Sequence, residues 1–284
     1  MERLNPANPL VSDSELQKIA DRRRLDVLNM IYTAKTGHIG GSMSELDILT
    51  TLFYRIMDID AIKKGTVSRD YFVLSKGHSS EAYYSILADL GFFPKEELKT
   101  YAQFGTRLMC HPSRKIPGVE IGTGALGHGV CVAVGIALGM KHLGAEGRVF
   151  VIMGDGEQAE GSVWEAAMAA SHYKLDKLYL IVDRNHLQIS GSTEDVMALE
   201  PLAEKYRAFG CEVESIDGHN YGEITQALTK KTDGKPIAVI ANTIKGKGLS
   251  WMQGNAAWHH KVPNEEQYHL GIKEIKERLG EENE

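Results

Sequence analysis

Three apolar runs, separated by stretches with helical spacing, constrain the fold of this chain more than any other feature. They lie at residues 149–153, 178–182 and 237–241, and each is short and rich in aliphatic side chains. Short continuous apolar runs are typical of strands that are buried on both faces, as in parallel sheets. The predicted fold class is therefore α/β, with an open, mostly parallel β-sheet and helices on both faces.

Weaker patterns predict the remaining elements. Residues 70–74 and 211–216 have the composition of two further strands, the second less clearly. Residues 14–33 carry apolar side chains at helical spacing, and Ser44 is predicted to cap a second helix after the glycine-rich break at residues 37–42. Further helices are predicted at residues 80–90, 130–143, 162–172, 199–209 and 222–229.

The sequence contains no stretch with the composition of a linker. Residues 1–284 are therefore predicted to form a single domain with an N-terminal helical extension. The charged tail at residues 273–284 is predicted to be a solvated terminal helix or a frayed end.

Residues 1–10 contain no apolar stretch, so no signal peptide is expected. The longest apolar run, at residues 129–140, contains three glycines and is too short to span a bilayer.

Charge and cysteine content exclude several classes of protein. The formal net charge is -6 and the pI is about 6.0, whereas nucleic-acid-binding domains are typically basic. The three cysteines, Cys110, Cys131 and Cys211, are far apart and have no metal-binding spacing. A sparse, odd set of cysteines is typical of proteins in a reducing compartment. We therefore expect a cytoplasmic protein that binds neither nucleic acid nor membrane.

Polar residues follow two successive predicted strands. Gly154-Asp155-Gly156 follows the first of the three apolar runs, and Asn185 follows the second. Open parallel sheets bind ligands at the carboxyl ends of their strands, and Mg²⁺ prefers oxygen ligands that it shares with phosphates. If the strands are neighbours, the oxygens of Asp155 and Asn185 reach one cation, and the backbone carbonyl of Leu187 can supply a third ligand. Either motif alone is typical of an ordinary turn, so the prediction depends on the pair.

Histidines in turns indicate a second part of a polar site. The chain has 11 histidines, and His38, His78 and His111 lie in turns that contain glycine, serine or proline. Such turns converge only at a polar pocket, where histidine suits phosphate binding and proton exchange near neutral pH. The other histidines considered are interpreted as structural or surface residues without a role in the site: His142, His172, His219 and His269.

The order and spacing of these motifs resemble those of a known enzyme family. Gly154-Asp155-Gly156, separated from Asn185 by residues 157–184, resembles the signature of thiamine diphosphate-binding proteins. Nearly the whole chain resembles the N-terminal half of transketolase. The stretches that carry the resemblance are residues 37–42, 75–80, 122–127, 154–161, 183–191, 245–248 and 258–259.

The resemblance implies roles for the histidines. His38 and His259 match histidines that line the substrate channel and assist proton transfer to and from substrate oxygens. His78 matches one near the cofactor diphosphate, to which His259 also lies close. His111 matches a histidine that contacts the first hydroxyl of the donor substrate. His260 is an alternative to His259 and has no assigned role of its own.

The resemblance also implies a cofactor site and a subunit contact. Gly124 and Leu126 match residues that pack on the thiazolium region of the cofactor. Lys245 is expected to add positive charge near the phosphates, with an ordinary solvated lysine as the alternative. Glu160 matches an acidic residue at a subunit interface, which couples to the catalytic glutamate of the partner domain. The alternative for Glu160 is a first-turn glutamate that the helix dipole favours. His128 stands where the family commonly has glutamine, and it has no assigned role.

The implied activity is that of a transketolase with thiamine diphosphate and Mg²⁺, for which Ca²⁺ or Mn²⁺ can substitute. Such an enzyme of the pentose phosphate pathway transfers a two-carbon ketol unit from a ketose phosphate to an aldose phosphate, and the cofactor performs the chemistry. The sequence contains no counterpart of the family's pyrimidine-binding domain, whose glutamate activates the cofactor. We therefore expect the partner to be a C-terminal transketolase subunit, in an α2β2 heterotetramer.

Other functions are alternatives to this one. In the first alternative, the chain is a subunit of another thiamine diphosphate enzyme, such as an E1-type dehydrogenase or an enzyme similar to deoxyxylulose-phosphate synthase. The dehydrogenases lack most of the histidine turns, and the synthase is usually one long chain. A non-catalytic regulatory homologue is a further alternative, which the intact Asp155, Asn185, His38, His78 and His259 disfavour. A nucleotide-binding module is disfavoured because the sequence contains no P-loop motif.

Overall fold

A five-stranded parallel β-sheet forms the centre of the protein. The computed structural model describes residues 11–281, so residues 1–10, where no signal peptide is expected, and the last residues of the charged tail lie outside the described part. The strands are β1 (Tyr71–Leu74), β2 (Val149–Gly154), β3 (Leu178–Arg184), β4 (Glu212–Asp217) and β5 (Ile237–Asn242). Their order is β1-β2-β3-β5-β4, and every neighbouring pair is parallel. The predicted open parallel sheet is confirmed.

Helices cover both faces of this sheet, as predicted. Within residues 11–281 the α-helices are α1 (Asp13–Ala34), α2 (Ile39–Thr51), α3 (Ile59–Lys64), α4 (Ser80–Asp89), α5 (His128–Leu143), α6 (Gly161–His172), α7 (Thr193–Val196), α8 (Leu202–Ala208), α9 (Tyr221–Thr229) and α10 (Glu265–Leu279).

Strand β2 shows how the two faces divide. Val149 and Val151 pack in one apolar cluster with α5, α6 and α8, whereas Phe150 and Ile152 pack in another with α1, α2, α4 and α9. Successive side chains of a strand point to opposite faces, so this strand is buried on both sides. No helix in the described part of the chain is long and apolar enough to cross a membrane.

The strand register brings the carboxyl ends of β2 and β3 together. Gly154, the last residue of β2, lies opposite Asp183 of β3. Asp155 and Asn185 follow these two strands and therefore leave the sheet side by side at one edge. The two strands that precede the predicted metal ligands are neighbours, as that prediction requires.

Helix α2 begins earlier than its sequence predicts. The predicted start at Ser44, after a glycine-rich break, is wrong because α2 begins at Ile39. Its first turn accommodates glycines because other parts of the chain lie where side chains would be. A Cβ atom on Gly40 would stand 2.5 Å from the carbonyl oxygen of Trp258. Instead of capping a helix, the Ser44 hydroxyl donates a hydrogen bond to the carboxylate of Asp183 (2.6 Å).

Helix α8 is shorter than predicted. The helix expected at residues 199–209 spans only Leu202–Ala208. Pro201 directly precedes it, and proline, which has no amide hydrogen, suits the start of a helix rather than its interior. The other predicted helices and strands lie close to their observed bounds.

The described part of the charged tail lies mostly in the terminal helix α10, so the predicted terminal helix is confirmed. The helix is packed, however, rather than frayed or fully solvated. Helix α10 begins with a capping box, in which Asn264 and Gln267 each accept the other's backbone N–H. Ile275 is fully buried, and Arg278 forms an ion pair with Asp21 of α1 (3.0 Å). Within the described residues, the tail therefore packs against α1.

Candidate functional site

A cavity of about 380 Å³ opens at the carboxyl edge of the sheet. Its walls are the loops after β1, β2, β3 and β5, together with the start of α2 and the turn before α5. The structure thus brings together residues that are far apart in the chain. The predicted site residues in these walls are His38, His78, Gly124, Leu126, Gly154, Asp155, Gly156, Asn185, Leu187, Lys245 and His259.

Two predicted site residues, His111 and Glu160, are not part of the cavity wall. The ring centroid of His111 lies 6.0 Å from that of His38. Glu160 is exposed and directly precedes α6, where its side chain makes no capping hydrogen bond. Glu160 is the N-cap residue of α6, where the helix dipole also favours a negative charge, so both interpretations of this residue stay predictions.

Asp155 is held by several hydrogen bonds at the end of β2. One carboxylate oxygen accepts the backbone N–H of Gly156 (2.8 Å). The other accepts the backbone N–H of His186 (2.6 Å) and an N–H of the Arg184 guanidinium (3.2 Å). Burial, and next the carboxylate of Asp183, raise the pKa of Asp155 above its ordinary value. A bound cation would offset both effects.

The oxygen atoms around Asp155 fit a hard divalent cation. The side-chain oxygen of Asn185 accepts the backbone N–H of Leu187 (3.1 Å), and the carbonyl of Leu187 accepts a hydrogen bond from Lys245 (3.3 Å). Each of these oxygens has a second lone pair. One carboxylate, one amide oxygen and one carbonyl match the ligand preference of Mg²⁺. Among residues 11–281, no group of three or more His, Cys, Asp or Glu side chains is placed to hold a metal.

Close packing explains glycine at two positions in the turns around the cavity. Gly124 has a φ angle of +152°, and a Cβ atom there would lie 2.7 Å from the ring of His111. A Cβ atom on Gly77 would lie 2.8 Å from the backbone carbonyl carbon of Thr123. The turn after β1 and the turn before α5 are therefore in direct contact, and larger residues would separate them.

The ring of His38 lies at the centre of a histidine cluster, which consists of His38, His78, His111, His259 and His260. Its centroid is 5.2 Å from that of His78, 5.6 Å from that of His259 and 4.6 Å from that of His260. His260 is exposed, whereas His38, His78 and His259 line the cavity. The histidine turns therefore converge on one pocket.

Burial keeps three imidazoles of this cluster neutral, those of His38, His78 and His259. Burial is the main cause that lowers the pKa of His38 to about 3, and His260 and His259 add to it. Burial also lowers the pKa of His259 to about 4, with Lys245 as the next cause. The pKa of His78 is lowered well below its ordinary value, again by burial first. At pH 7 these rings are uncharged, so each can donate one hydrogen bond and accept another.

Two buried lysines supply the positive charge of the cavity. The Nζ atom of Lys245 lies 3.1 Å from Nδ1 of His259, and burial lowers the pKa of Lys245 to about 8. Lys76 forms ion pairs with Asp183 and Glu45. Lys245 is buried, so the alternative of a solvated surface lysine is wrong.

Sequence reasoning missed two charged residues of the cavity wall. Lys76 and Glu157 line the cavity and are almost fully buried. The sequence contained a signal for both residues, namely their position just after a buried strand. Lys76 follows the end of β1 by two residues, and Glu157 follows the end of β2 by three. Charged residues are rarely buried without a partner, so such residues next to buried strands indicate a network of paired charges.

Some polar atoms at the cavity have no partner among the described residues. The Nδ1 atom of His38 and the amide nitrogen of Gln188 are buried and have no hydrogen-bond partner within residues 11–281. Both residues line the cavity. Buried polar groups are almost always hydrogen-bonded, so these atoms indicate that a polar ligand completes the site.

The sequence that forms this cavity matches a known family. The family described as "Transketolase, thiamine diphosphate binding domain" matches residues 15–284. The chain belongs to the transketolase family. The family resemblance of the sequence is thereby confirmed, and the cavity lies in the thiamine diphosphate-binding domain of a transketolase.

Relatives of similar length are named as transketolase subunits. A subunit of the apulose-4-phosphate transketolase of Phocaeicola vulgatus is 46% identical over 271 residues, which cover 95% of this chain and 96% of that protein. The 6-deoxy-6-sulfo-D-fructose transketolase subunit SqwG of a Clostridium species is 42% identical over 264 residues, which cover 92% of this chain and 96% of that protein. The chain thus matches nearly the whole of both transketolase subunits.

Solved transketolases share this fold over part of their length. The transketolase from Campylobacter jejuni superposes with a TM-score of 0.84 at 33% identity, over 94% of this chain and 43% of that chain. The transketolase from Leishmania mexicana gives a TM-score of 0.87 at 31% identity, over 96% of this chain and 42% of that chain. The chain therefore spans less than half the length of these transketolases.

Replacement of Glu157 by glutamine tests how the turns around the cavity are held together. One carboxylate oxygen of Glu157 accepts hydrogen bonds from the Ser75 hydroxyl and the Gly127 backbone N–H, and the other accepts the Gly154 backbone N–H. Glu157→Gln replaces one of these carboxylate oxygens by an NH₂ group. This group cannot accept the hydrogen bonds that the oxygen accepted, so at least one buried donor loses its partner. We expect the free energy of unfolding, measured by urea denaturation, to fall by about 1–3 kcal/mol.

Glu204→Gln is the matched control for this substitution. The side chain of Glu204 is exposed on α8, so its replacement should change the free energy of unfolding by less than about 0.5 kcal/mol. Equal stabilities of the Glu157 and Glu204 variants would contradict the role assigned to Glu157.

Proposed function

We propose that this chain is the N-terminal subunit of a two-subunit transketolase. The enzyme uses thiamine diphosphate and Mg²⁺ to transfer a two-carbon ketol unit from a ketose phosphate to an aldose phosphate, as in the pentose phosphate pathway. The chain is active only with a C-terminal subunit that carries the pyrimidine-binding domain, in a cytoplasmic α2β2 heterotetramer.

A comparison of lengths carries this proposal. Two relatives that are named as apulose-4-phosphate transketolase subunits align over 96% and 100% of their own length, at 46% and 42% identity. The transketolase of Rattus norvegicus aligns over only 40% of its length, at 35% identity. The greater likeness to whole subunits than to part of a single-chain enzyme supports the division of the enzyme into two chains.

The loops after β2 and β3 support binding of the diphosphate end of the cofactor. Asp155, Asn185 and the carbonyl of Leu187 would hold Mg²⁺, for which Ca²⁺ or Mn²⁺ can substitute, and the ion would neutralise diphosphate charge. Gly154 and Gly156 have no side chains to keep phosphate oxygens away from the backbone. All five residues line the same cavity.

Residues on the other walls of the cavity support contacts along the rest of the cofactor. His78 and Lys245 offer hydrogen-bond donors beside the diphosphate, and Gly124 and Leu126 would pack on the thiazolium region. The bound cofactor supplies the carbon nucleophile for ketol transfer. The protein's part is to bind and orient it.

The histidine cluster supports proton handling at substrate oxygens. His38 and His259 are neutral at pH 7, and a neutral imidazole can both accept and donate a proton. The Nδ1 atom of His38 has no partner within the described residues and is available to a substrate oxygen. His111, at the side of the cluster, would contact the first hydroxyl of the donor. Glu160, exposed before α6, would contact the partner chain and couple to its catalytic glutamate.

Loss of the Asp155 side chain should abolish metal-dependent cofactor binding. We expect Asp155→Ala to lower the affinity of the two-subunit complex for thiamine diphosphate at least about 100-fold, since even residues that only support metal ligands change metal affinity about 10- to 100-fold. Isothermal titration calorimetry measures the affinity. Treatment of the wild-type complex with EDTA should have the same effect, and Mg²⁺, Ca²⁺ or Mn²⁺ should reverse it.

Asp60→Ala is the matched control for the metal site. Asp60 is exposed on α3, so its removal should leave cofactor affinity unchanged. Unchanged affinity in Asp155→Ala would show that the metal ligands are assigned wrongly.

An activity assay with and without a partner tests the two-subunit proposal. The chain alone, with thiamine diphosphate and Mg²⁺, should show no ketol transfer, whereas addition of a pyrimidine-domain subunit from the same organism should produce it. The donors and acceptors should include sugar phosphates and sulfo-sugars, because the relatives are named for both. Robust turnover by the chain alone would overturn the two-subunit proposal. A complex that binds the cofactor but converts no substrate would favour a non-catalytic homologue.

A further inference from the structure

His219 lies outside the cavity wall and has no part in the proposed function. It follows β4 in the turn before α9, and its sequence context indicates only a structural or surface histidine. The structure shows a more specific arrangement. Its side chain is 9% exposed and connects two elements that carry the site.

The two ring nitrogens of His219 have different partners. The backbone N–H of Ile244 donates a hydrogen bond to Nε2 (2.9 Å), and Nδ1 lies 2.7 Å from a carboxylate oxygen of Asp47. Because a backbone N–H can only donate, Nε2 is the unprotonated nitrogen, and Nδ1 carries the proton that it donates to Asp47. The ring is therefore a fixed connection between α2 and the loop after β5.

Asp47 is itself firmly held. Its carboxylate accepts hydrogen bonds from the Arg24 guanidinium (2.8 Å) and the Tyr221 hydroxyl (2.7 Å). Burial alone would raise the pKa of Asp47, but Arg24 and His219 hold it below its ordinary value. The side chain thus stays charged at neutral pH and gives His219 a stationary partner.

The loop that His219 holds carries a residue of the cavity wall. Ile244, whose N–H it accepts, directly precedes Lys245. The side chain of Lys245 extends into the cavity, where Nζ donates to the carbonyl of Leu187 (3.3 Å) and lies 3.1 Å from Nδ1 of His259. A displacement of the backbone at Ile244 would therefore move Lys245 relative to the site.

The other side of Lys245 is also tied to α2. The backbone N–H of Gly246 donates to the carbonyl of Gly40 (3.0 Å), and Gly40 also packs closely against the Lys245 side chain. Helix α2 contains both Gly40 and Asp47. Helix α2 therefore holds this loop at two points. One is the backbone hydrogen bond between Gly40 and Gly246, and the other is the connection from Asp47 through the His219 side chain to Ile244.

We infer that His219 is a positioning residue, which holds the loop after β5 so that Lys245 and His259 face the bound diphosphate. This inference rests on the proposed cofactor role of Lys245. His219 is not among the residues of the cavity wall, and it acts through the backbone N–H of Ile244.

Two substitutions separate the two hydrogen bonds of His219. His219→Gln keeps an oxygen acceptor at about the reach of Nε2 and can still serve the Ile244 N–H. His219→Asn keeps an amide donor at about the reach of Nδ1 and can still serve Asp47. A positioning role through Ile244 and a structural role through Asp47 therefore predict opposite orders for the two variants.

The measurement is made on the two-subunit complex by titration with thiamine diphosphate. We expect the Kd for the cofactor to rise about tenfold in His219→Asn, because a backbone donor loses its acceptor, and to stay near the wild-type value in His219→Gln. The kcat at saturating cofactor should change little in either variant. Hydrogen exchange at the Ile244 amide should accelerate in His219→Asn and not in His219→Gln.

Controls make the outcomes distinguishable. His269→Gln, at a side chain that is 68% exposed, should leave the Kd unchanged. Equal Kd values for the Asn and Gln variants, or weaker binding in the Gln variant, would overturn the positioning role. If Lys245→Met weakens cofactor binding while His219→Asn does not, only this inference fails. If Lys245→Met has no effect, the cofactor role of Lys245 fails and the inference fails with it.

Discussion

The parallel pairing of β2 and β3 is the constraint on which the rest of the site depends. Because Gly154 lies opposite Asp183, the chain leaves both strands at the same edge. The carboxylate of Asp155 can then accept the backbone N–H of His186 across the pair (2.6 Å). Parallel strands require a crossover connection, and α6 provides it for this pair. The same sheet edge receives the loop after β5, which brings Lys245 to the cavity.

Buried charges distinguish this edge from an ordinary end of a sheet. Lys76 lies in the cavity wall and is paired with the buried carboxylates of Asp183 and Glu45. Burial raises the pKa of Glu45 to about 8, although Lys76 opposes this shift. Apolar residues of similar volume often stabilise a fold at least as well as a buried ion pair does. Paired charges with shifted pKa values beside a cavity therefore indicate a functional site more than a stabilising one.

The sheet and much of the cavity wall could be predicted because they leave local signals in the sequence. Buried strands appear as continuous apolar runs, and Asp155 and Asn185 follow two of them directly. The start of α2 could not be predicted, because glycine in its first turn is explained by the distant Trp258. The connection made by His219 was missed for the same reason, since its partners Asp47 and Ile244 are far from it in the chain. Local patterns record neither contact.

A crystal structure of the two-subunit complex with thiamine diphosphate and Mn²⁺ tests the central claim most directly, because anomalous scattering locates the manganese ion. We expect one ion at the carboxyl edge of the sheet, bound by Asp155, Asn185, the carbonyl of Leu187 and oxygens of the diphosphate. Lys245 should lie beside the same diphosphate. Manganese bound by other residues, or a cofactor bound away from this edge, would contradict the assignment of the site.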